Sequence, residues 1–334
     1  MVALAAFAIA GAPGWAQDAR ADQAKELKLS VAVGPAYALG QAAERWAKRI
    51  AEKSGGRLPV KPFPGATLSQ RDPAREFIAL SDGTADLALG STLFWSMQVK
   101  ELGVVGLPWL APEPKQLDAL LEGPVADALA AAVRRVGAVP LALAPLGHHE
   151  LATKERAVRA PADLAGLRVR VTAMPALADF YAALGARVQA MGYADAQAAF
   201  AAGTLDAQDG TSATFAATRL HAVGLRRVVL WEAIAEAAVF AVNRERWESW
   251  TDTDRALVRD SAQESARELA ELVRQENDAA LAELRKSGMT IVRLTRAERA
   301  VFAAATKSAY DRWAAVAGEE LVRAAEAAVQ AAAP

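Results

Sequence analysis

Cysteine is absent from the 334-residue chain. Disulfides, thiolate metal ligands, cysteine nucleophiles and a lipidated N-terminal cysteine are excluded with it. Histidine is scarce, with three copies, so little material exists for a metal site, and no metal or cofactor is expected. Charge of one sign is missing too: 38 Lys and Arg against 39 Asp and Glu leave a net charge of −1. Proteins that track phosphates need a basic face, so no nucleic-acid partner is expected. After the N-terminal segment, no apolar run approaches the ~18 residues of a membrane helix. GxGxxG, Walker A, HExxH and GxSxG patterns are all wanting. No Ser, His and Asp arrangement has supporting context either. These gaps argue for binding without chemistry, and the chain is not expected to be an enzyme.

What is present begins with an apolar N-terminus. Met1 to Ala12 is followed by Gly14-Trp15-Ala16, a small-x-small cleavage pattern ahead of Gln17 and Asp18. Residues 1–16 therefore read as an export signal, and the mature chain as a soluble protein of a bacterial periplasm. No Lys or Arg precedes the apolar run, where such signals carry positive charge.

The length suits two domains. Leu27 to Val33 alternates like a strand, Leu39 to Glu52 follows as an amphipathic helix, and Gly55-Gly56 ends it. A strand at 58–63, a helix at about 72–81 and a strand at 85–90 complete a βαβ rhythm. The rhythm restarts after Pro161, with strands at 167–172, 186–191 and 205–208 and helices at 176–184 and 193–202. Two such runs predict an α/β chain of two similar lobes, with a ligand cleft between them. From Thr251 to Lys286 apolar positions recur at helical spacing behind a capping pattern. Unbroken, that helix is about 50 Å long and runs along both lobes; the alternative is two helices broken near Gln275 to Asp278. The Ala-rich stretch 319–333 reads as a fraying helix.

The segment APADLAGLRVRVT, Ala160 to Thr172, carries the strongest chemical signal. A short turn opened by Pro161 and Asp163 stops at Gly166 and feeds a strand on which Arg168 and Arg170 share a face. Outer strand ends border the crevice of an open α/β sheet, and a guanidinium fork there suits a carboxylate. The plainer alternative is two solvated arginines. His148 and His149 are adjacent, so on a strand they face opposite ways and cannot easily share a metal. Trp46, Trp247, Trp250 and Trp313 read as packing residues. Trp95 and Trp231 follow predicted strands within reach of the crevice, with packing the favoured reading over ligand contact for each.

These motifs together resemble the solute receptors of tripartite ATP-independent periplasmic (TRAP) transporters, the DctP family. AAERWAKRIAEKSGGRLPVKPFPGATL (Ala42 to Leu68), SDGTADLAL (Ser81 to Leu89), LPWL (Leu107 to Leu110), ADLAGLRVRV (Ala162 to Val171), AAGTLDAQDG (Ala201 to Gly210) and VNRERWESWTDTDRALV (Val242 to Val258) carry the likeness, in order. It covers about Lys25 to Leu321. The resemblance implies a two-lobed periplasmic binding-protein fold, each lobe a sheet flanked by helices, with one long helix spanning both. Lobe 1 is expected over 25–147 plus about 236–270, and lobe 2 over 148–235 plus about 271–325. Hinges are expected near Leu146 to Glu150 and Glu232 to Val239.

By the same resemblance, a monomeric receptor captures a small organic acid and delivers it to a TRAP membrane permease. The family's ligand-carboxylate arginine falls on Arg170 and its packing aromatic on Tyr193. A further polar segment falls on Gln208, Asp209 and Gly210. Cleft positions fall on Ala32, Tyr37, Ser91 and Trp95, and Trp231 lies on the second hinge crossing. Departures stand out: a second family arginine is His149, an Asn is Gly210, a Pro is Thr211, and a polar cleft position is Ala32. The site implied has lost polar groups and gained aromatic ones, suited to a monocarboxylate with a less polar body, aromatic or a 2-oxo acid, more than to a sugar acid. A dicarboxylate needs His149 protonated or another cation. A periplasmic sensor for a signalling partner, or a small hydrolase or isomerase, are the alternatives.

Overall fold

A computed structural model describes residues 26–333; the expected export signal, residues 1–16, lies outside the described residues. The strands are β1 (Leu27–Val31), β2 (Val60–Phe63), β3 (Leu87–Ser91), β4 (Ala138–Thr153), β5 (Arg168–Val171), β6 (Arg187–Ala190), β7 (Ala207–Gly210), β8 (Arg227–Asn243) and β9 (Thr290–Arg293). They form one sheet in the order β2-β1-β3-β8-β4-β7-β5-β6, with β9 added on β8. β1 runs parallel to β2 and β3, and β5 parallel to β6 and β7, as the two βαβ runs require.

The lobes are not separate sheets. β4 and β8, of 16 and 17 residues, pair antiparallel and belong to both lobes. At ~3.3 Å per residue each spans roughly 50 Å. Register shifts on β4 at Pro145/Gly147 and His149/Leu151 mark the crossing, where bulges bend and twist a strand. Opposite them on β8, Glu232 holds a left-handed φ of 55°, a conformation that costs a non-glycine residue about 1–2 kcal/mol. Its surroundings hold it there: Arg293 and Arg299 donate to its carboxylate at 2.6 and 2.9 Å, and its N–H donates to Glu150 at 3.2 Å.

Apolar clusters fill both faces of each lobe. In the first, Trp46 of the helix Ala38–Lys53 is fully buried edge-on against Phe240, 5.1 Å between centroids. On the opposite face Leu117, Leu129 and Val133 pack with Val322, Ala325 and Val329. The C-terminal helix Glu319–Ala331 is therefore docked on the first lobe. The expected helix over 319–333 is present, and its apolar face packs on the first lobe through Val322, Ala325 and Val329. In the second lobe Val169, Leu177, Phe180 and Trp231 fill one face, and Phe200, Phe215, Leu281 and Leu284 the other.

The helix Asp252–Lys286 is unbroken over its 35 residues, about 52 Å at 1.5 Å per residue. The Thr251 hydroxyl accepts from the Asp254 N–H at 3.2 Å. Asp252 and Asp254 occupy its first turn and Arg285 and Lys286 its last, matching the helix dipole. Val258, Ala262 and Leu269 lie in the first lobe's core and Leu281 and Leu284 in the second's. One rigid element thus ties both lobes across the crossing strands.

Candidate functional site

Arg168 and Arg170 sit two residues apart on β5 and are treated differently by the fold. Arg168 donates from Nε and Nη2 to the Asp206 carboxylate at 2.8 and 2.6 Å. That hydrogen-bonded pair holds the Asp206 carboxyl down at about 2. Arg170, at the inner end of β5, is only 6 % exposed. Its Nε and Nη2 both donate to a backbone carbonyl, that of Met191, at 3.1 and 2.8 Å. Among the described residues no carboxylate approaches it within 4.0 Å. Burial lowers its pKa, opposed by Asp209 and Tyr193 nearby, and a guanidinium stays charged regardless. The result is a partly desolvated cation with donors to spare, an arrangement that favours an anion.

Beside it a buried polar chain crosses from lobe to lobe. The Ser91 hydroxyl at the end of β3 donates to Glu236 Oε1 on β8. Glu236 Oε2 lies 3.5 Å from His149 Nε2, and His149 Nδ1 lies 2.7 Å from Asp209 Oδ1 on β7. Tyr181, on the helix Pro175–Ala183, donates to Asp209 Oδ2 at 2.9 Å. All five residues are buried. Burial alone would lower the His149 pKa, but Asp209 and Glu236 outweigh it and raise the value well above the usual range. Burial would raise Glu236, and contacts with His149 and Ser91 bring it below its ordinary value. His149 is therefore an imidazolium held between two carboxylates.

The structure brings Arg170, His149, Asp209, Ser91 and Tyr193 to the same region and separates others from it. Tyr193 begins the helix Tyr193–Ala201 after β6 and is partly exposed. Tyr37, half-buried, precedes the first helix, and burial raises its pKa with help from Tyr193 and Glu276. Gln208 stands in register with Arg170 and is wholly buried, with neither amide atom partnered among the described residues. A Cβ on Gly210 would lie 3.1 Å from the Phe215 ring, which accounts for glycine where the resemblance implies Asn.

Two expected contacts need correction. Trp95 is fully buried in the first lobe's core, edge-on to Phe77 at 5.1 Å and packed so tightly that a Cβ on Gly90 would meet its indole at 2.0 Å. Trp231 is also fully buried, among Trp109, Phe180, Tyr181 and Phe302. Its Nε1 donates to the His149 carbonyl at 3.2 Å, so it backs the polar chain.

Sequence reading missed Glu236, Tyr181 and the Met191 carbonyl. A lone acid in the apolar run AIAEAAVF was the available signal, since a buried carboxylate needs partners. The two histidines do face apart. His148 Nε2 pairs with the Ala111 carbonyl at 2.8 Å, burial lowers its pKa, and it lines a separate groove of about 330 Å³ under the long helix. Neither Arg170 nor His149 lines that groove. Among the described residues no His, Cys, Asp and Glu group is arranged to hold a metal ion, and no helix is long and apolar enough to cross a membrane.

Comparison with known proteins bears on this geometry. Residues 29–316 match the family model described as "Bacterial extracellular solute-binding protein, family 7", DctP. A TRAP periplasmic solute-binding protein of Ralstonia eutropha, solved with bound (S)-2-hydroxy-2-methyl-3-oxobutanoate, (S)-2-acetolactate, is 38% identical at a TM-score of 0.87. That match covers 91% of this chain and 98% of the other. A solute-binding protein of Verminephrobacter eiseniae is 25% identical over 266 residues, 80% of this chain and 78% of that one. The C4-dicarboxylate-binding periplasmic protein DctP of Rhodobacter capsulatus is 23% identical over 304 residues, 90% of each chain.

Proposed function

From the premise that this chain belongs to the bacterial extracellular solute-binding proteins of family 7, we propose that it is the periplasmic receptor of a TRAP transporter. It captures a small organic acid between its lobes and hands it to the membrane permease, acting as one chain and without chemistry on the ligand. The observation that carries this reading is the buried Arg170 guanidinium, whose partner among the described residues is a backbone carbonyl and not an acid. A ligand carboxylate supplies the missing anion through two parallel hydrogen bonds. The acetolactate bound to the Ralstonia eutropha relative is a small organic acid, and it supports a short, branched 2-hydroxy or 2-oxo acid as the ligand.

The polar chain from Ser91 to Tyr181 and the bulged crossing of β4 and β8 supply a hinge, and the long helix couples the lobes. A ligand that touches both lobes only when they are shut shifts the population to the closed form. A thermal-shift screen of the mature chain against organic acids tests the reading. An acid at about 100 times its Kd stabilises the native state by about 2.7 kcal/mol and raises Tm; a screen in which no acid raises Tm rejects it.

A further inference from the structure

The polar chain at the crossing holds a cation, His149, whose ring nitrogens are both engaged: Nδ1 by Asp209 at 2.7 Å and Nε2 by Glu236 at 3.5 Å. We propose that Glu236 sets the charge of the acid this cleft accepts: by engaging the side of the His149 ring that Asp209 leaves open, it withholds that cation from the ligand and selects a monocarboxylate over a dicarboxylate. The proposal rests on the reading of Arg170 as the carboxylate anchor.

Arg170 near the end of β5 and His149 at the β4 bulge bring two positive charges to the two sides of β7, and Asp209 and Glu236 bring two negative ones. A bound monoanion leaves this group with one net negative charge; a dianion adds a second, and the cation next to Arg170, His149, already holds two carboxylates. Glu236 cannot turn away to release His149, because its other oxygen accepts from Ser91, which itself caps the helix Thr92–Trp95. Trp231 closes the back of the His149 backbone. Tyr193 lies near Arg170, and Tyr37 lies near Tyr193 and Glu276, so this side offers phenols and a carboxylate. A second acid group in the ligand meets like charge and desolvation, the repulsive element by which sites reject a competitor. Protonation of His149 alone therefore does not admit a dicarboxylate.

The test uses acid pairs that differ by a methyl replaced with a carboxylate: 2-hydroxy-2-methylbutanoate with citramalate, and butanoate with succinate. Calorimetric titration of the wild type should give a Kd for the monoacid at least about tenfold below that of its diacid partner. Glu236→Gln keeps the shape and removes a charge, and should narrow or reverse that ratio by about tenfold. The double variant His149→Gln/Glu236→Gln removes one charge of each sign, and the monoacid preference should return. A wild type that binds diacids as tightly as monoacids overturns the proposal without any variant, and so does an unchanged ratio in folded Glu236→Gln. The carboxylate reading fails separately, if none of these acids binds or if Arg170→Ala binds the monoacid as the wild type does.

Discussion

The inner end of β5 and the crossing of β4 with β8 each bury a cation, and the fold completes them to different degrees. His149 is enclosed: two carboxylates, a hydroxyl behind each of them, and an indole on its backbone. Arg170 is left with a carbonyl. A saturated buried ion pair holds an architecture in register, whereas removing one partner leaves an uncompensated charge. An unsaturated cation invites a ligand. Burial and charge alone do not mark a binding residue; the unfilled donors do.

The comparison can be broken most severely at the saturated end. His149→Leu leaves Asp209 and Glu236 buried without their shared cation and should destabilise the fold by about 3–5 kcal/mol, measured as a lowered denaturant midpoint. A midpoint within error of the wild type would show that the chain of Ser91, Glu236, Asp209 and Tyr181 is not structural. The next test is pH. The folded His149 pKa lies above its unfolded value of about 6.5, so its contribution is complete below that pH and disappears as pH rises through the folded value. The stability gap between wild type and His149→Leu should narrow from about pH 7 upward; a constant gap would mean the ring is neutral in the folded state.

At the surface end of β5 the sign reverses and the effect shrinks. The Asp206 carboxyl, held at about 2 by Arg168, contributes above its unfolded pKa of about 3.9 and loses that contribution as pH falls toward 2. Arg168→Ala should therefore lower Tm most at neutral pH and above, by the modest amount a half-exposed pair contributes, and leave ligand affinity near wild type. A large loss of affinity in Arg168→Ala would move the binding role to the wrong end of the strand.

Much of this was legible in the sequence. Period-two strands against period-3.6 helices set the order of elements, and the capped, periodic stretch after Thr251 set the long helix. The placement of Arg170 at a strand end followed from Gly166 and the β-branched run after it. The crossing strands were harder. β8 is buried at nearly every position, so it lacks the alternation that marks a half-exposed strand, and it was read as a strand ahead of Trp231 followed by a hinge. Glu236 and Asp209 meet His149 across 87 and 60 residues of sequence, which no local pattern records. Trp95 does follow a strand, whereas Trp231 lies within β8, and the direction of each depends on the partners Phe77 and Phe180, set by tertiary packing.

The account turns on Arg170, and calorimetric titration of Arg170→Ala beside Arg168→Ala with an acid that raises the wild-type Tm tests it most directly. Arg170→Ala should lose affinity by about a hundredfold or more, as for a truncated buried charge pair, while its unliganded fold and circular dichroism stay intact and Arg168→Ala binds normally. Near-normal affinity in folded Arg170→Ala would contradict the account.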